Sequence, residues 1–201
     1  MGTRNLTAVF MDGEYKVAQY GQWDGYPSGQ GVDILNILKN AKKDILKNQL
    51  KKVRFIDPEK DKKFIDEYDA KAPKYIGDPE TRTQDQIHWF ESYASRDLGG
   101  KILSSIINST DDEMVLKNSI NFAGDSLFCE FAYVVDFDKN TFEIYQGFNK
   151  EKIDKSERFA SFKCDGDEYK QVKFVHSFDL ECLPDKKEFL EILEPEEEDE
   201  D

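Results

Sequence analysis

Asp12-Gly13 stands between two short β-prone runs, and no other dipeptide in the chain constrains the fold as much. A two-residue Asp-Gly link is a hairpin turn whose twist matches that of its flanking strands. Residues 6–11 (LTAVFM) and 15–20 (YKVAQY) are therefore expected to pair antiparallel. The second run opens directly into YGQWDGYPSGQG, where Tyr20, Trp23 and Tyr26 are spaced by Gly21, Gly25, Gly29 and Gly31. Gln19, Gln22 and Gln30 add amides, Asp24 a carboxylate and Ser28 a hydroxyl. Aromatic faces beside polar edges suit a sugar, a nucleoside or a peptide. Loops held on a rigid sheet often carry binding residues.

After Gly31 the period changes. Ile34, Leu35, Leu38, Ala41 and Ile45 recur at helical spacing with lysines on the other side, which predicts one helix through residue 49. Gly29-Gln30-Gly31 then lies at a helix N-terminus, as an anion site or as a tight lead-in, and no Walker or dinucleotide spacing accompanies it. Residues 51–82 are polar and lysine-rich, broken by Pro58, Pro73 and Pro79. They are expected to form a surface excursion with one short helix near 61–70. Thr83 and Gln86 form a capping box for a second main helix. Its apolar stripe is Ile87, Phe90, Ala94, Leu98, Ile102 and Ile106, with a bend expected at Gly99-Gly100.

The second half reads as strands. Residues 127–137 (LFCEFAYVVDF) suit a central strand, and a turn at 138–141 leads to another at 142–145. Residues 158–163 and 171–178 are further strand candidates, joined by a turn at 165–167. Pro184 opens a last helix with Phe189, Leu190 and Leu193 on its apolar side. A hairpin, two helices and a β-meander in that order predict a single α+β domain over residues 1–193. The expected architecture is an antiparallel sheet or sheets packed against two main helices.

Charge narrows the function. The chain carries a formal charge of −14, and residues 194–201 are almost wholly carboxylate. Such a run repels itself, so a solvated, disordered tail is expected. The body is acidic too, which argues against direct nucleic-acid binding. The tail allows a reading as an acidic inhibitor or decoy that occupies a basic groove. Three cysteines without metal or redox spacing fit reduced thiols in a cytoplasm. No run approaches the ~18 apolar residues of a membrane span, so no membrane association is expected. His88 with Glu91 at i+3 cannot close a metal site alone, and His176 alternates with Phe174 and Phe178. Neither a metal nor a cofactor is expected. Glu130 and Asp136 fall in or beside an apolar strand and need partners, with Arg96 as one candidate.

The opening RNLTAVFMDGEYKVAQY resembles the start of N-terminal nucleophile hydrolases. In that family a Thr, Ser or Cys begins the first strand, a short hairpin follows, and charged residues near the end of the second strand lie beside the nucleophile. The resemblance implies Thr3 as nucleophile and Asp24 as the nearby carboxylate. Cleavage at Gly2-Thr3 would free the amine that acts as base for the Thr3 hydroxyl. Gln19 and Tyr20 stand where the family usually places a basic or acidic partner. AYVVDFDKNTFEIYQG resembles the strand–turn–strand of bile-acid hydrolases and penicillin V acylases. The longer stretch RNLTAVFMDGEYKVAQYGQWDGYPSGQG is similar to an uncharacterised family of phage, bacterial and fungal proteins.

The leading expectation is a soluble cytoplasmic protein that binds a small molecule or a protein partner through loop 20–31. Gln19, Tyr20, Gln22, Trp23, Asp24, Tyr26, Ser28 and Gln30 are its contact candidates. Amide hydrolysis by Thr3 and inhibition through the acidic surface are the alternatives.

Overall fold

The computed structural model describes residues 2–63, 65–66, 98–164, 166 and 168–194. β1 (Asn5–Met11) and β2 (Glu14–Gly21) form the expected hairpin. Asp12 and Gly13 both take positive φ, at 57° and 79°. The Asp138 carboxylate accepts their two N–H groups at 2.9 and 2.8 Å, which satisfies donors that the tight turn leaves over.

β5 (Phe131–Asp136), β6 (Thr141–Gln146) and β7 (Lys173–Asp179) complete a five-stranded sheet in the order β2-β1-β5-β6-β7. The fold is α+β, but the sheet is mixed and not wholly antiparallel. β1 runs parallel to β5, from Asn5 opposite Phe131 to Phe10 opposite Asp136, and the other pairs are antiparallel. Parallel strands occur where both faces are covered. That holds here: Leu6 and Ala8 point into one core and Val9 and Met11 into the other, all buried.

The helical face is covered by α1 (Val32–Asn40), α2 (Lys43–Leu50), α3 (Ile102–Asn108) and α4 (Lys186–Leu193). The single helix expected through residue 49 is two helices. Ala41 leaves the helical region at ψ 142°, and the break turns Leu46 and Leu50 into the core while Ile45 faces solvent. Lys39 and Lys43 then donate to the carbonyls of Pro184 and Leu180, tying both helices to the last segment. Asp185 caps α4 by accepting from the Glu188 N–H at 2.9 Å.

Among the described residues no α-helix covers the other face. Residues 120–125, 149–164 and 168–172 cross it, with Phe159 and Val172 packed on Ala132, Val134 and Tyr145. The strand expected at 158–163 is a series of turns because Arg158 points inward. Its guanidinium donates to Glu143 at 2.7 and 3.0 Å and also to Asp136, and all three side chains are under one-tenth exposed. The Tyr145 hydroxyl donates to the same Glu143 at 2.6 Å, and the Phe10 ring lies 5.2 Å from the guanidinium. Arg158 is thus the partner that Asp136 required, while Glu130 pairs with Arg4 at 3.7 Å.

The strand expected over 127–137 is shorter, since residues 127–130 lie before β5. The excursion expected from residue 51 begins with β3 (Val53–Phe55), which pairs in parallel with β4 (Met114–Leu116). Residues 62–63 and 65–66 are helical. The Thr83–Gln86 capping box, the stripe residues Ile87, Phe90 and Ala94, His88, Glu91, Arg96 and the tail from 195 lie outside the described residues. Among the described residues no helix is long and apolar enough to cross a membrane.

The buried Arg158 cluster sets the acid side of the stability curve. Burial alone raises the Glu143 pKa, but the Arg158 guanidinium and the Tyr145 hydroxyl outweigh it and hold the carboxyl below its ordinary value. A depressed carboxyl contributes stability above its unfolded pKa, and that contribution is lost as pH falls through the folded one. Arg158→Ala takes the guanidinium from two buried carboxylates, leaving Asp136 only backbone donors and Glu143 the Tyr145 and Thr141 hydroxyls with Lys139 at 3.8 Å, and is expected to cost about 3 kcal/mol at neutral pH. Urea titrations at neutral pH and well below the ordinary Glu value of 4.5, at about pH 3, would show the wild type losing this contribution, while the variant recovers some stability because buried carboxyls without the guanidinium favour their protons.

Candidate functional site

The loop after β2 is built more from backbone than from side chains. The Gly25 N–H donates to the Thr3 carbonyl at 3.0 Å, and the Gly25 carbonyl accepts the buried Tyr133 hydroxyl at 2.7 Å. A side chain at Gly25 would start 2.8 Å from the Thr3 oxygen, so glycine is what allows this approach. Asn5 donates to the Trp23 carbonyl at 3.2 Å. Asp24 takes φ 54°, and its carbonyl accepts the Gln30 N–H at 2.8 Å. Aspartate is among the few side chains that tolerate the left-handed region. Pro27–Gly31 then make one wide turn with i→i+5 bonding, which runs into α1.

This frame divides the predicted contact residues. Gln30 is 7% exposed and used structurally: its carbonyl oxygen accepts the Gly100 N–H at 2.6 Å, and its amide nitrogen reaches the Trp23 carbonyl at 3.5 Å. Gln19 is also buried and donates to the Tyr20 carbonyl at 2.8 Å. The half-buried Tyr20 packs edge-on against Phe122 and donates to the Gln22 side chain at 2.7 Å. Ser28 donates to the Glu194 carboxylate at 3.3 Å. Trp23 and Tyr26 remain open at 48% and 52% exposure, with the exposed Asp24 between them. The Trp23 ring lies over Gly2, where an added Cβ would stand 2.1 Å from the ring.

Thr3 and Asp24 are brought close through the Gly25–Thr3 bond, but Thr3 is only 5% exposed beneath the loop. Below it on the same face of β1, Asn5 and Thr7 are fully buried. Their Oδ1 and Oγ1 atoms have no hydrogen-bond partner among the described residues. His176 is half-buried with its ring centre 4.5 Å from that of Phe178, on a strand far in the sheet order from the loop. A shallow cavity of about 310 Å³ opens elsewhere, between α1 and α3, lined by Asn36, Ile37, Asn40, Ser104 and Ile107.

Sequence reasoning missed the loop's neighbours. β1 begins, β2 ends, β5 begins and β6 ends at the same edge of the sheet, as the pairings Asn5–Gly21, Asn5–Phe131 and Phe131–Gln146 show. Phe128 and Phe148 therefore emerge at the same end of the sheet as the loop, 43% and 54% exposed. The Arg4 guanidinium stacks on Phe128 at 4.4 Å, and the Arg4 N–H donates to Glu130 at 3.2 Å. Tyr26 adjoins Phe131, ring centres 6.0 Å apart. The only hint in the chain was that Phe128 and Phe148 flank strand residues. Family models, curated proteins and solved structures yield no match to the chain.

Burial pushes the Tyr133 pKa well above its ordinary value, so its hydroxyl remains a neutral donor to Gly25. Tyr133→Phe removes that donor and leaves a buried carbonyl unpaired. The expected loss is about 1–3 kcal/mol by chemical denaturation, with the Trp23 environment altered in fluorescence.

Proposed function

We propose that this chain is a soluble cytoplasmic binding protein whose contact surface is the exposed half of the loop, Trp23, Asp24 and Tyr26. The observation that carries the reading is the contrast within one short segment. Its backbone is fixed by Tyr133, Asn5 and Gln30, whereas two of its rings stand half in water. Large aromatic groups left exposed on a rigid frame lose little side-chain freedom on binding and contribute much apolar area. Monomeric surfaces seldom leave such rings clustered without use. Asp24, held in the left-handed region between them, supports the same reading, because unusual backbone conformations gather at binding sites.

The test is a titration of isotope-labelled protein, followed by NMR, with a mixed panel of short peptides and small metabolites. Resonances of Trp23, Asp24 and Tyr26 are expected to move first. The Trp23→Ala, Tyr26→Ala double variant should keep its far-UV spectrum and lose at least tenfold in affinity for any ligand found, as removal of two anchor residues does. Shifts confined to the cavity between α1 and α3 would overturn the assignment.

A further inference from the structure

Phe148 is a bulky residue at φ 52°, where glycine or asparagine is expected. Its backbone is clamped on both sides. The Gly147 N–H donates to the Glu130 carbonyl at 2.8 Å and the Phe148 N–H to the Ser126 carbonyl at 2.6 Å. Asn149 donates from its backbone to the Ser126 hydroxyl at 3.1 Å and from its side chain to the Glu151 and Gln171 carbonyls. The clamp needs the conformation but not the ring, which is 54% exposed, the highest value among the exposed large apolar residues described. A glycine there would serve the fold at less strain, so the ring itself is the feature that calls for a use.

That ring belongs to a larger arrangement. Of the five exposed aromatic residues described, Trp23, Tyr26, Phe128 and Phe148 all emerge at the loop end of the sheet, and Phe174 alone lies on β7. Carboxylates are set among them: Asp24 between two rings, Glu194 against Ser28, and Glu130 beside Phe128. The cations described near them are offset by carboxylates: Arg4 is stacked on Phe128 and faces Glu130, Lys150 pairs with Glu168 at 2.6 Å, and Lys173, opposite Gln146 at the end of β6, pairs with Glu151 at 3.0 Å. The chain as a whole carries −14, and six further carboxylates follow Pro195 in sequence. Ring faces attract cations, and interleaved carboxylates attract the same charge.

We infer that this end of the sheet receives a lysine- or arginine-bearing segment of a protein partner, with Phe148 and Phe128 extending the surface of Trp23 and Tyr26. The inference rests on the loop being the contact surface and adds the charge of what it contacts. A cationic head over a ring and an aliphatic stem along it would use both features of the surface.

The probe is a peptide alternating lysine with serine, compared with the same peptide acetylated on every lysine, against the full chain. The lysine form is expected to bind, to weaken with salt, and to lose at least tenfold on acetylation, which removes its charge. Phe148→Asn and Trp23→Ala should each weaken it by about two- to thirtyfold, the span of one cation–ring contact. Phe148→Asn should at the same time keep or raise the thermal midpoint, since asparagine tolerates this backbone. A fall of more than about 4 °C would show the ring to be structural and overturn the inference. Lysine-peptide binding unchanged by the ring variants would reduce it to diffuse attraction and overturn it as well. Equal, ring-dependent binding of the acetylated peptide would overturn the basic partner alone and leave the loop as contact surface. Binding of neither peptide would exclude the basic segment, with the loop still decided by the NMR titration.

Discussion

The parallel pairing of β1 with β5 is the constraint on which the remaining architecture depends. Without it the chain holds an isolated hairpin and a separate meander, neither of which buries both of its faces. With it, Asn5 meets Phe131 and the strand ends come into line. Two cores then form on opposite sides of one sheet. The same alignment carries loop 22–26, residues 126–130 and residues 147–149 to one end. The candidate surface is therefore a by-product of strand order, assembled from segments over a hundred residues apart in sequence.

The two faces are held by different physics. The helical face depends on apolar side chains, with Tyr133, Phe142 and Phe178 of the sheet forming a run of ring contacts that ends on Phe189 of α4. The other face, where the described cover is turns and one 3-10 segment, is pinned by charge, through Arg158 between Asp136 and Glu143. A buried pair of this kind adds little net stability relative to an apolar substitute, but it tolerates only one register of the covering segment. Such a device suits the middle of that cover, around Arg158, whereas its ends are tied by backbone bonds from Val172 to Ala123 and from Ser126 to Lys170.

Much of this was legible in the chain where local chemistry decides. Asp12-Gly13 announced the hairpin, Pro184 and the apolar spacing of Phe189, Leu190 and Leu193 marked α4, and the change of period between halves pointed to the α+β class. The parallel pair left no local mark, since β1 alternates as a hairpin strand would. Ala41 reads as a good helix former, and only the need to bury Leu46 and Leu50 breaks the helix there. In the loop, composition could not separate amides used for structure from groups offered to a ligand. Gln19 and Gln30 turned inward while Trp23 and Tyr26 turned outward, and the deciding neighbours, Gly100 and Tyr133, are remote in sequence. The apolar run places Phe128 inside a strand, whereas β5 begins only at Phe131.

The partner of β1 lies 126 positions downstream, the separation of Asn5 from Phe131. During synthesis at about 5–20 residues per second, the nascent hairpin waits roughly 6–25 s with its inner edge unpaired. That strand carries apolar side chains on both faces, among them Leu6, Ala8, Val9 and Met11, so for the interval it resembles the aggregation-prone strands that cells shield with chaperones. The order of emergence from the ribosome thus leaves that edge bare, and the late arrival of β5 makes sheet closure a slow, high-contact-order event.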